Sequence, residues 1–449
     1  MKNKTLLFRN FKFNPTDSIS DDENFVISNM YNVTTENGAI ESKVFQEDIL
    51  FCLFDEAQIQ TIKSNNSEII DKIIRYIPYT YFDVGQGTFS NRLFVITNAN
   101  ALYELVPETN LFELKYSFST FPKIFEYENA VYLFDSNNKC IVLENNSAVS
   151  IEQIPTINSF ISDNEKTYFL LKNKPFSFFT SELIGLRNLS IYPEQYTSLD
   201  STIQDGQLYK IVNIKDKIFA ISQYSILRFD EENNKFLRQN KIELEIYKDT
   251  IIALDNAVVF YTSNGLYLFD GSDIEQLTSN YLNFDKNANL VCFNQKIYIL
   301  SPNYEKYIFE YNFTNKYFTP IFLDKINLLY TVKTQEKYLL CASTILNNEY
   351  KNISILSNFN WNDVEQKVVF KTTTFSSTNL KYIKNIFVKA IGECRIKITS
   401  NLSSTELKIN NSTAIYNVGI SGTVFDFEII SSTKFKIDSI LLNIEEASE

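Results

Sequence analysis

SNGLYLFDGSDIEQLT, residues Ser263–Thr278, is the stretch on which the fold turns. Leu266-Tyr267-Leu268-Phe269 is a short run of strand-favouring residues. Asp270-Gly271 follows as a turn dipeptide, and Ile274 begins a second, more polar strand. Taken alone it is one hairpin. The same phrase recurs along the chain. Apolar strands that start on a polar turn open at Asn91 (NRLFVIT), Glu128 (ENAVYLFD), Glu165 (EKTYFLL), Lys215 (KDKIFAIS), Asp255 (DNAVVFY), Asn294 (NQKIYIL) and Glu336 (EKYLLCAS). Successive starts differ by 37, 37, 50, 40, 39 and 42 residues. Second strands follow most of them: NALYELV, NKCIVLE, YSILRFD, NGLYLFD, EKYIFEY and NISILSN. The outer parts of the units, such as LFELKY and KFLRQNKI, are more polar.

A period of roughly 40–45 residues made of several short strands is the signature of β-propeller blades. A four-stranded sheet cannot cover both of its faces alone, whereas a ring of sheets covers each face with a neighbour. The sequence therefore predicts an all-β protein with a β-propeller over residues 91–360. Seven candidate units are counted, and ring closure by N-terminal strands makes six to eight blades compatible. Residues 1–90 are expected to supply strands and a short helix leading into or closing the propeller. FVISNMYNVTTENGAIESKVF (Phe25–Phe45) reads as two strands around an Asn37-Gly38 turn. SEIIDKIIRYI (Ser67–Ile77) puts Ile69, Ile70, Ile73 and Ile74 on one helical face and is read as a short helix, with a buried strand as the alternative. The longest gap holds an insertion at Thr180–Gln207, read as a projecting loop. After Trp361 the phrasing changes to KVVFKTTTF, IKNIFVKAIG, CRIKITS, ELKIN, TVFDFEIIS and FKIDSILLNIE. Alternation such as Val424-Phe425-Asp426-Phe427-Glu428-Ile429 predicts half-exposed antiparallel strands in a C-terminal β-sandwich over residues 361–449.

Composition narrows the chemistry. The 449 residues are 44% hydrophobic and 15% aromatic, enough for a large packed interior. Forty-two basic against 54 acidic residues leave a net charge of −12, and no basic stripe of the kind that grips nucleic acid is evident. The absence of histidine removes Ser-His and Cys-His nucleophile activation and His-ligated metal sites. Cys52, Cys140, Cys292, Cys341 and Cys394 are scattered, with no C-x-x-C pair, and read as buried thiols made in a reducing compartment. The N-terminus does not read as a secretory signal, and no apolar run is long enough for a membrane span.

No catalytic, cofactor-binding or metal-ligating residue is singled out, and no cofactor is expected. Glycine-rich phosphate loops, the nucleophile elbow and the sialidase S-x-D-x-G-x-x-W turn are absent from the sequence. Four Phe-Asp pairs recur: Phe134-Asp135, Phe229-Asp230, Phe269-Asp270 and Phe284-Asp285. Their oxygens would suit calcium. Asp and Asn also cap their own turns, and the pairs lack a D-x-D-x-D ladder, which favours the turn reading. No carboxylate pair stands out for glycoside hydrolysis. The aromatic stretch NYEKYIFEYNFTNKYF (Asn303–Phe318) would suit sugar stacking or, at its spacing, strand packing.

The layout resembles the tail-hub, or nozzle, proteins of short-tailed bacteriophages, a family that includes packaged-DNA stabilisation proteins. ISNMYNVTTENGAIESKVF (Ile27–Phe45) is similar to their opening strand and glycine turn. Phe176–Asp230 is similar to their central segment: a Ser-containing strand, a long excursion, an Asp-Gly turn and two blade strands. The strands after Glu365 are similar to their C-terminal sandwich. The resemblance implies a non-enzymatic virion protein, located in the tail and assembled in the bacterial host cytoplasm. It would form a homo-oligomeric ring below the portal and adaptor and extend the DNA channel. There it would retain the packaged genome and allow its ejection, touching the passing double-stranded DNA without binding it specifically. Acidic residues on the channel wall would let phosphates slide past. A receptor- or glycan-binding module of a virion is the alternative, and a carboxylate hydrolase a third.

Overall fold

The computed structural model describes residues 2–8, 12–13, 26–31, 33–34, 40–42, 46–127, 130–136, 140–144, 147–151, 156–162, 166–181, 197–200, 205–233, 235–279, 282, 284–313, 317–323, 325–334, 338–346, 348–355, 366–372, 380–410 and 413–446. The chain is all-β. Among the described residues, two α-helices, Glu56–Asn65 and Ser67–Ile70, accompany many antiparallel sheets.

Seven of those sheets have four strands each, and six take their strands in simple chain order. Sheet 1 comprises Ile73–Asp83, Thr88–Thr97, Ala101–Val106 and Leu111–Ser117. Sheet 2 comprises Lys123–Tyr127, Ala130–Phe134, Cys140–Glu144 and Ser147–Ile151. Sheet 3 comprises Ile157–Ser162, Thr167–Leu171, Ser177–Ser181 and Thr197–Asp200. Sheet 4 comprises Leu208–Ile214, Lys217–Ser222, Ser225–Asp230 and Lys235–Lys241. Sheet 5 comprises Ile252–Leu254, Ala257–Thr262, Gly265–Phe269 and Ile274–Ser279. Sheet 6 comprises Asn289–Phe293, Lys296–Leu300, Tyr307–Asn312 and Tyr317–Phe322. Sheet 7 comprises Ile326–Lys333, Tyr338–Leu346, Glu349–Ile355 and, as its fourth strand, Gln46–Asp48.

The seven strands that mark the period in the sequence are the second strands of these sheets, and the six that follow are third strands. Middle strands are the most apolar because neighbours cover both of their faces. Thr167–Leu171 is buried at every position, and Lys217–Ser222 at all but the first. Fourth strands alternate or lie open, as Leu111–Ser117 and Lys235–Lys241 do. Two of the turns between first and second strands hold both central residues at positive φ: Lys215-Asp216 and Asn294-Gln295. Tight two-residue hairpins of this hand match the twist of the strands they join, which is why a polar pair precedes these apolar strands.

The chain divides into two compact units, Asp48–Glu305 with Lys325–Ser354, and Met1–Glu47 with Lys306–Asp324 and Ile355–Glu449. Within the first, apolar clusters join consecutive sheets. Leu133 and Ile141 of sheet 2 pack with Phe94 and Leu102 of sheet 1, and Phe169 and Phe179 of sheet 3 pack with Phe134 of sheet 2. Phe178 of sheet 3 packs with Leu227 and Phe229 of sheet 4, and Phe219 of sheet 4 with Phe260 and Phe269 of sheet 5. A further cluster places Tyr330, Val332 and Leu339 of sheet 7 with Tyr76, Leu93 and Val95 of sheet 1.

The helical reading of Ser67–Ile77 is corrected. Helix stops at Ile70, and Ile73 and Ile74 open an 11-residue strand whose partner runs back to Thr97. The β-branched run joins a ladder because a partner strand is available. The longer helix lies upstream at Glu56–Asn65, started by a capping box in which Asp55 Oδ1 accepts from the Gln58 amide at 2.8 Å. Its Ile59 and Ile62 are buried in the cluster shared by sheets 1 and 7.

Besides Tyr307–Asn312 and Tyr317–Phe322 of sheet 6, the second unit holds an 11-stranded network. IKNIFVKAIG and CRIKITS are one continuous strand, Lys381–Ser400, rather than two. Up to Gly392 it pairs with Thr413–Gly422 and Phe435–Glu446; beyond it, with Ser404–Asn410 and Phe425–Ser431. Gly392 has φ +84°, and a Cβ there would sit 2.1 Å from the Lys434 carbonyl oxygen. Gly392→Ala is expected to lose at least about 1 kcal/mol of stability, read from the denaturant midpoint. Phe425, Phe427 and Ile429 point inward and alternate with Asp426 and Glu428, as the sequence pattern requires. Strands Lys2–Phe8, Val26–Tyr31 and Ile40–Ser42 also pair within this network. Of the described strands up to Asp48, Gln46–Asp48 joins a repeat sheet instead, and Ile73–Asp83 opens sheet 1. The Asn37-Gly38 turn, most of the insertion at Thr180–Gln207 and Trp361 lie outside the described residues.

Candidate functional site

Helix Glu56–Asn65 and the first hairpin of sheet 1 frame a cleft of about 410 Å3. Phe54, Pro78, Tyr79 and Leu93 give it apolar walls, and Gln58 and Arg92 are among its polar groups. The hairpin supplies both kinds because strand residues alternate in direction. Arg92 is held from behind. Its guanidinium pairs with Glu104 and lies 4.8 Å from the Phe94 ring centroid. Their side chains are only 12% and 9% exposed, so water screens the pair weakly. Lys115 adds a 3.2 Å contact to the other Glu104 oxygen and reaches Glu113 at the same distance. Burial lowers the Lys115 pKa, but the hydrogen bonds it donates to Glu104 and Glu113 outweigh it and the amine is held above its ordinary value. Arg92 Nη1 has no hydrogen-bond partner among the described residues. With the charge of Arg92 met by Glu104, the cleft suits a neutral ligand with an apolar face and hydrogen-bond acceptors.

The four Phe-Asp pairs are not equivalent positions. Phe134 ends a second strand, Phe269 ends a third strand, Phe229 and Asp230 are the last two residues of another third strand, and Phe284-Asp285 lies in the link before sheet 6. Each Asp works locally. Asp270 Oδ1 accepts from Ser272 N at 2.9 Å, Ser272 Oγ at 3.0 Å and Asp273 N at 2.9 Å. The bond from Asp273 N, then the two from Ser272, hold its carboxyl well below the usual carboxylate range. Asn233 does the same for Asp230 through its side chain first and its amide second. Asp285 accepts from Asn287 N, and Asp135 from Ser119. Among the described residues, no group of three or more Cys, Asp and Glu is placed to hold a metal ion.

Within the aromatic stretch Asn303–Phe318, Tyr304, Phe309, Tyr311 and Phe318 are buried. They serve as packing, as their strand spacing suggested, and offer no sugar platform. Cys140, Cys341 and Cys394 are buried. Burial pushes the Cys140 and Cys394 thiols up to about 12 and raises Cys341 further, so none is an activated nucleophile. The sequence reading missed the cleft. Its one signal was a pair of charges, Arg92 and Glu104, set inside otherwise apolar strands.

No family model matches the chain, and no curated protein matches it. Solved structures that are similar to it include BBS1N in complex with ARL6DN, at 12% identity and TM-score 0.43, covering 64% of this chain and 94% of that one. The computationally designed Ika8 protein matches at 8% identity and TM-score 0.37, over 67% and 84%. The extracellular domain of the putative one component system BT4673 from B. thetaiotaomicron matches at 7% identity and TM-score 0.43, over 87% and 58%.

Proposed function

We propose that the chain is a non-enzymatic structural subunit of the tail hub, or nozzle, of a short-tailed bacteriophage. In this reading seven sheets close into a seven-bladed β-propeller, and the network built from both ends of the chain is a β-sandwich. Copies form a ring below the portal and adaptor, and the genome passes through it. The observation that carries the reading is layout: a run of seven four-stranded sheets, then an all-β module that also takes the N-terminal strands. That order of parts is the one on which the sequence resemblance rests.

Ring closure has its own support. Sheet 7 takes its fourth strand, Gln46–Asp48, from a segment that precedes sheet 1 in the chain. Asn352 of sheet 7 donates to the Ile73 carbonyl of sheet 1 at 2.7 Å and accepts from Tyr330 Oη at 2.9 Å. Asn352→Ala is expected to cost about 1–3 kcal/mol, because it leaves buried polar groups without partners. Hydrogen exchange should then speed up in the first strand of sheet 1 and in sheet 7 together. Acceleration in sheet 7 alone would argue for an open stack.

First strands of the sheets carry Arg75, Lys123, Lys210 and Lys333 against Asp83 and Glu126. The acidic surface that would let DNA slide therefore belongs to other faces of the subunit. Negative-stain microscopy of the purified full chain, alone and with a co-expressed portal and adaptor, tests the assignment. A closed ring with a central channel is the expected result. A monomer, or a peripheral trimer that binds host glycans, would replace it with the receptor-binding alternative.

A further inference from the structure

Four lysines converge where the first strands of neighbouring sheets begin. Lys123 opens the first strand of sheet 2, and Lys210 is the third residue of the first strand of sheet 4. Lys172 follows the second strand of sheet 3, and Lys248 stands in the short 3-10 turn before sheet 5. Hydrogen bonds between sheets fix the two inner amines. Lys123 Nζ donates to the Asn158 carbonyl of sheet 3, and Lys210 Nζ to the Ile251 carbonyl at 2.7 Å. Behind them the Ile211 amide of sheet 4 donates to Ser159 Oγ of sheet 3 at 3.0 Å. Lys248 Nζ lies 5.9 Å from the Tyr209 ring centroid.

Among the described residues no carboxylate lies within ion-pair distance of any of the four amines. Asp249 is the one acidic group whose field reaches Lys123, and it stands against three other amines. The chain carries 54 carboxylates and a net charge of −12, so pairing residues were plentiful. Lys123 is exposed to solvent and Lys210 is half-buried. Burial first, then Lys248, Lys210 and Lys172, bring the Lys123 amine down to about 8, and burial brings Lys210 to about 8 as well. An ammonium has three donors. Each inner lysine uses one on a carbonyl, which leaves two for a guest.

We propose that this lysine cluster binds a compact, multiply charged phosphate-type oxyanion. Ammonium groups are strongly hydrated point charges that suit phosphate oxygens. Several of them held near one another repel until an anion joins them. Backbone bonds between adjacent sheets fix the two inner amines, so the guest is a phosphate chain rather than a duplex. That chain is either free polyphosphate or the phosphate tail of a nucleotide.

Calorimetric titration of the full chain at pH 7 and low salt, with sodium tripolyphosphate in one arm and a nucleoside triphosphate in the other, tests this. Saturable binding is expected in at least one arm, and binding of the nucleotide alone would identify the tail of a larger molecule as the guest. The double variant Lys123→Gln, Lys210→Gln should bind about tenfold or more weakly, since two charge-assisted contacts are lost. Lys408→Gln with Lys434→Gln should leave affinity unchanged. Raising the pH from 7 to 9 should weaken binding to the native chain, because both inner amines lose protons in that window. The double variant Lys123→Arg, Lys210→Arg keeps its charge and should not show this loss. The other charged and titratable groups near the inner amines are Lys172, Lys248, Asp249 and Tyr209, with Glu245 beside Tyr209. No binding in either arm, or equal affinity in the Gln variant, would overturn the proposal.

Lys123 and Lys210 also set a pH signature without ligand. Their folded pKa lies below the ordinary lysine value, so the unfolded chain binds more protons between about 8 and 10.5. Stability should therefore rise with pH across that window, and the rise should shrink in the Gln variant.

Discussion

Replacing Glu104 by alanine should lower the unfolding free energy by about 3–5 kcal/mol, the cost of leaving a buried charge without its partner. Arg92 is the charge in question. It is 12% exposed, stacked near Phe94, and has no other carboxylate within reach among the described residues. Lys115 loses one of its two partners as well but retains Glu113. The reverse variant, Arg92→Leu, should cost less, because Glu104 keeps Lys115. The double variant Arg92→Leu, Glu104→Leu should recover most of the loss, since an apolar pair of similar volume often replaces a buried ion pair without penalty. Urea unfolding of the native chain, the single variants Arg92→Leu and Glu104→Leu and their double closes the cycle, with Glu104→Ala measured beside them. A loss under about 1 kcal/mol for Glu104→Ala would mean that the pair behaves as an exposed one.

Phe178→Ala should cost about 3–5 kcal/mol through the cavity it opens. Phe178 is fully buried and sits between two sheets. Its ring meets Phe229 at 4.9 Å, Phe236 at 5.0 Å and Tyr168 at 6.0 Å between centroids. Phe229 and Phe236 belong to sheet 4, so the same ring that fills sheet 3 also fastens it to its neighbour. Phe178→Leu should cost less, because a smaller void remains. The measurement is the midpoint and slope of denaturant unfolding. An unchanged midpoint for the alanine variant would show that sheets 3 and 4 do not share this core.

Repeats were legible because the middle strands of each sheet are covered on both faces. NRLFVIT, KDKIFAIS and EKYLLCAS stand out as apolar runs for that reason, and each is a second strand. First strands were harder to see. Ile252–Leu254 has three residues, and Ile73–Asp83 shares its opening isoleucines with a plausible helix face. Each pairs with the next strand in the chain, but what it packs against comes from another sheet, as Asn352 of sheet 7 meets Ile73, and no local pattern records that. The lysine cluster was hidden in the same way. Lys123, Lys172, Lys210 and Lys248 are four unremarkable residues in a Lys-rich sequence until four segments of the fold bring them together.

SNGLYLFDGSDIEQLT shows how the work divides between sequence and structure. Its own residues determine a strand at Gly265–Phe269, a turn capped by Asp270 and a strand from Ile274. β-Propensity and side-chain hydrogen bonding act over a few residues and need no distant partner. What surrounds the hairpin is decided elsewhere. Gly271 has φ +96°, and Ile214 of sheet 4 approaches the place of its missing side chain to 3.1 Å. Lys215 lies 3.7 Å from Asp270, and Phe219 and Phe269 meet edge to face at 5.2 Å between centroids. Those contacts join residues some fifty positions apart. Local chemistry dictates each hairpin, and only the burial of one sheet against the next decides how the hairpins stand together.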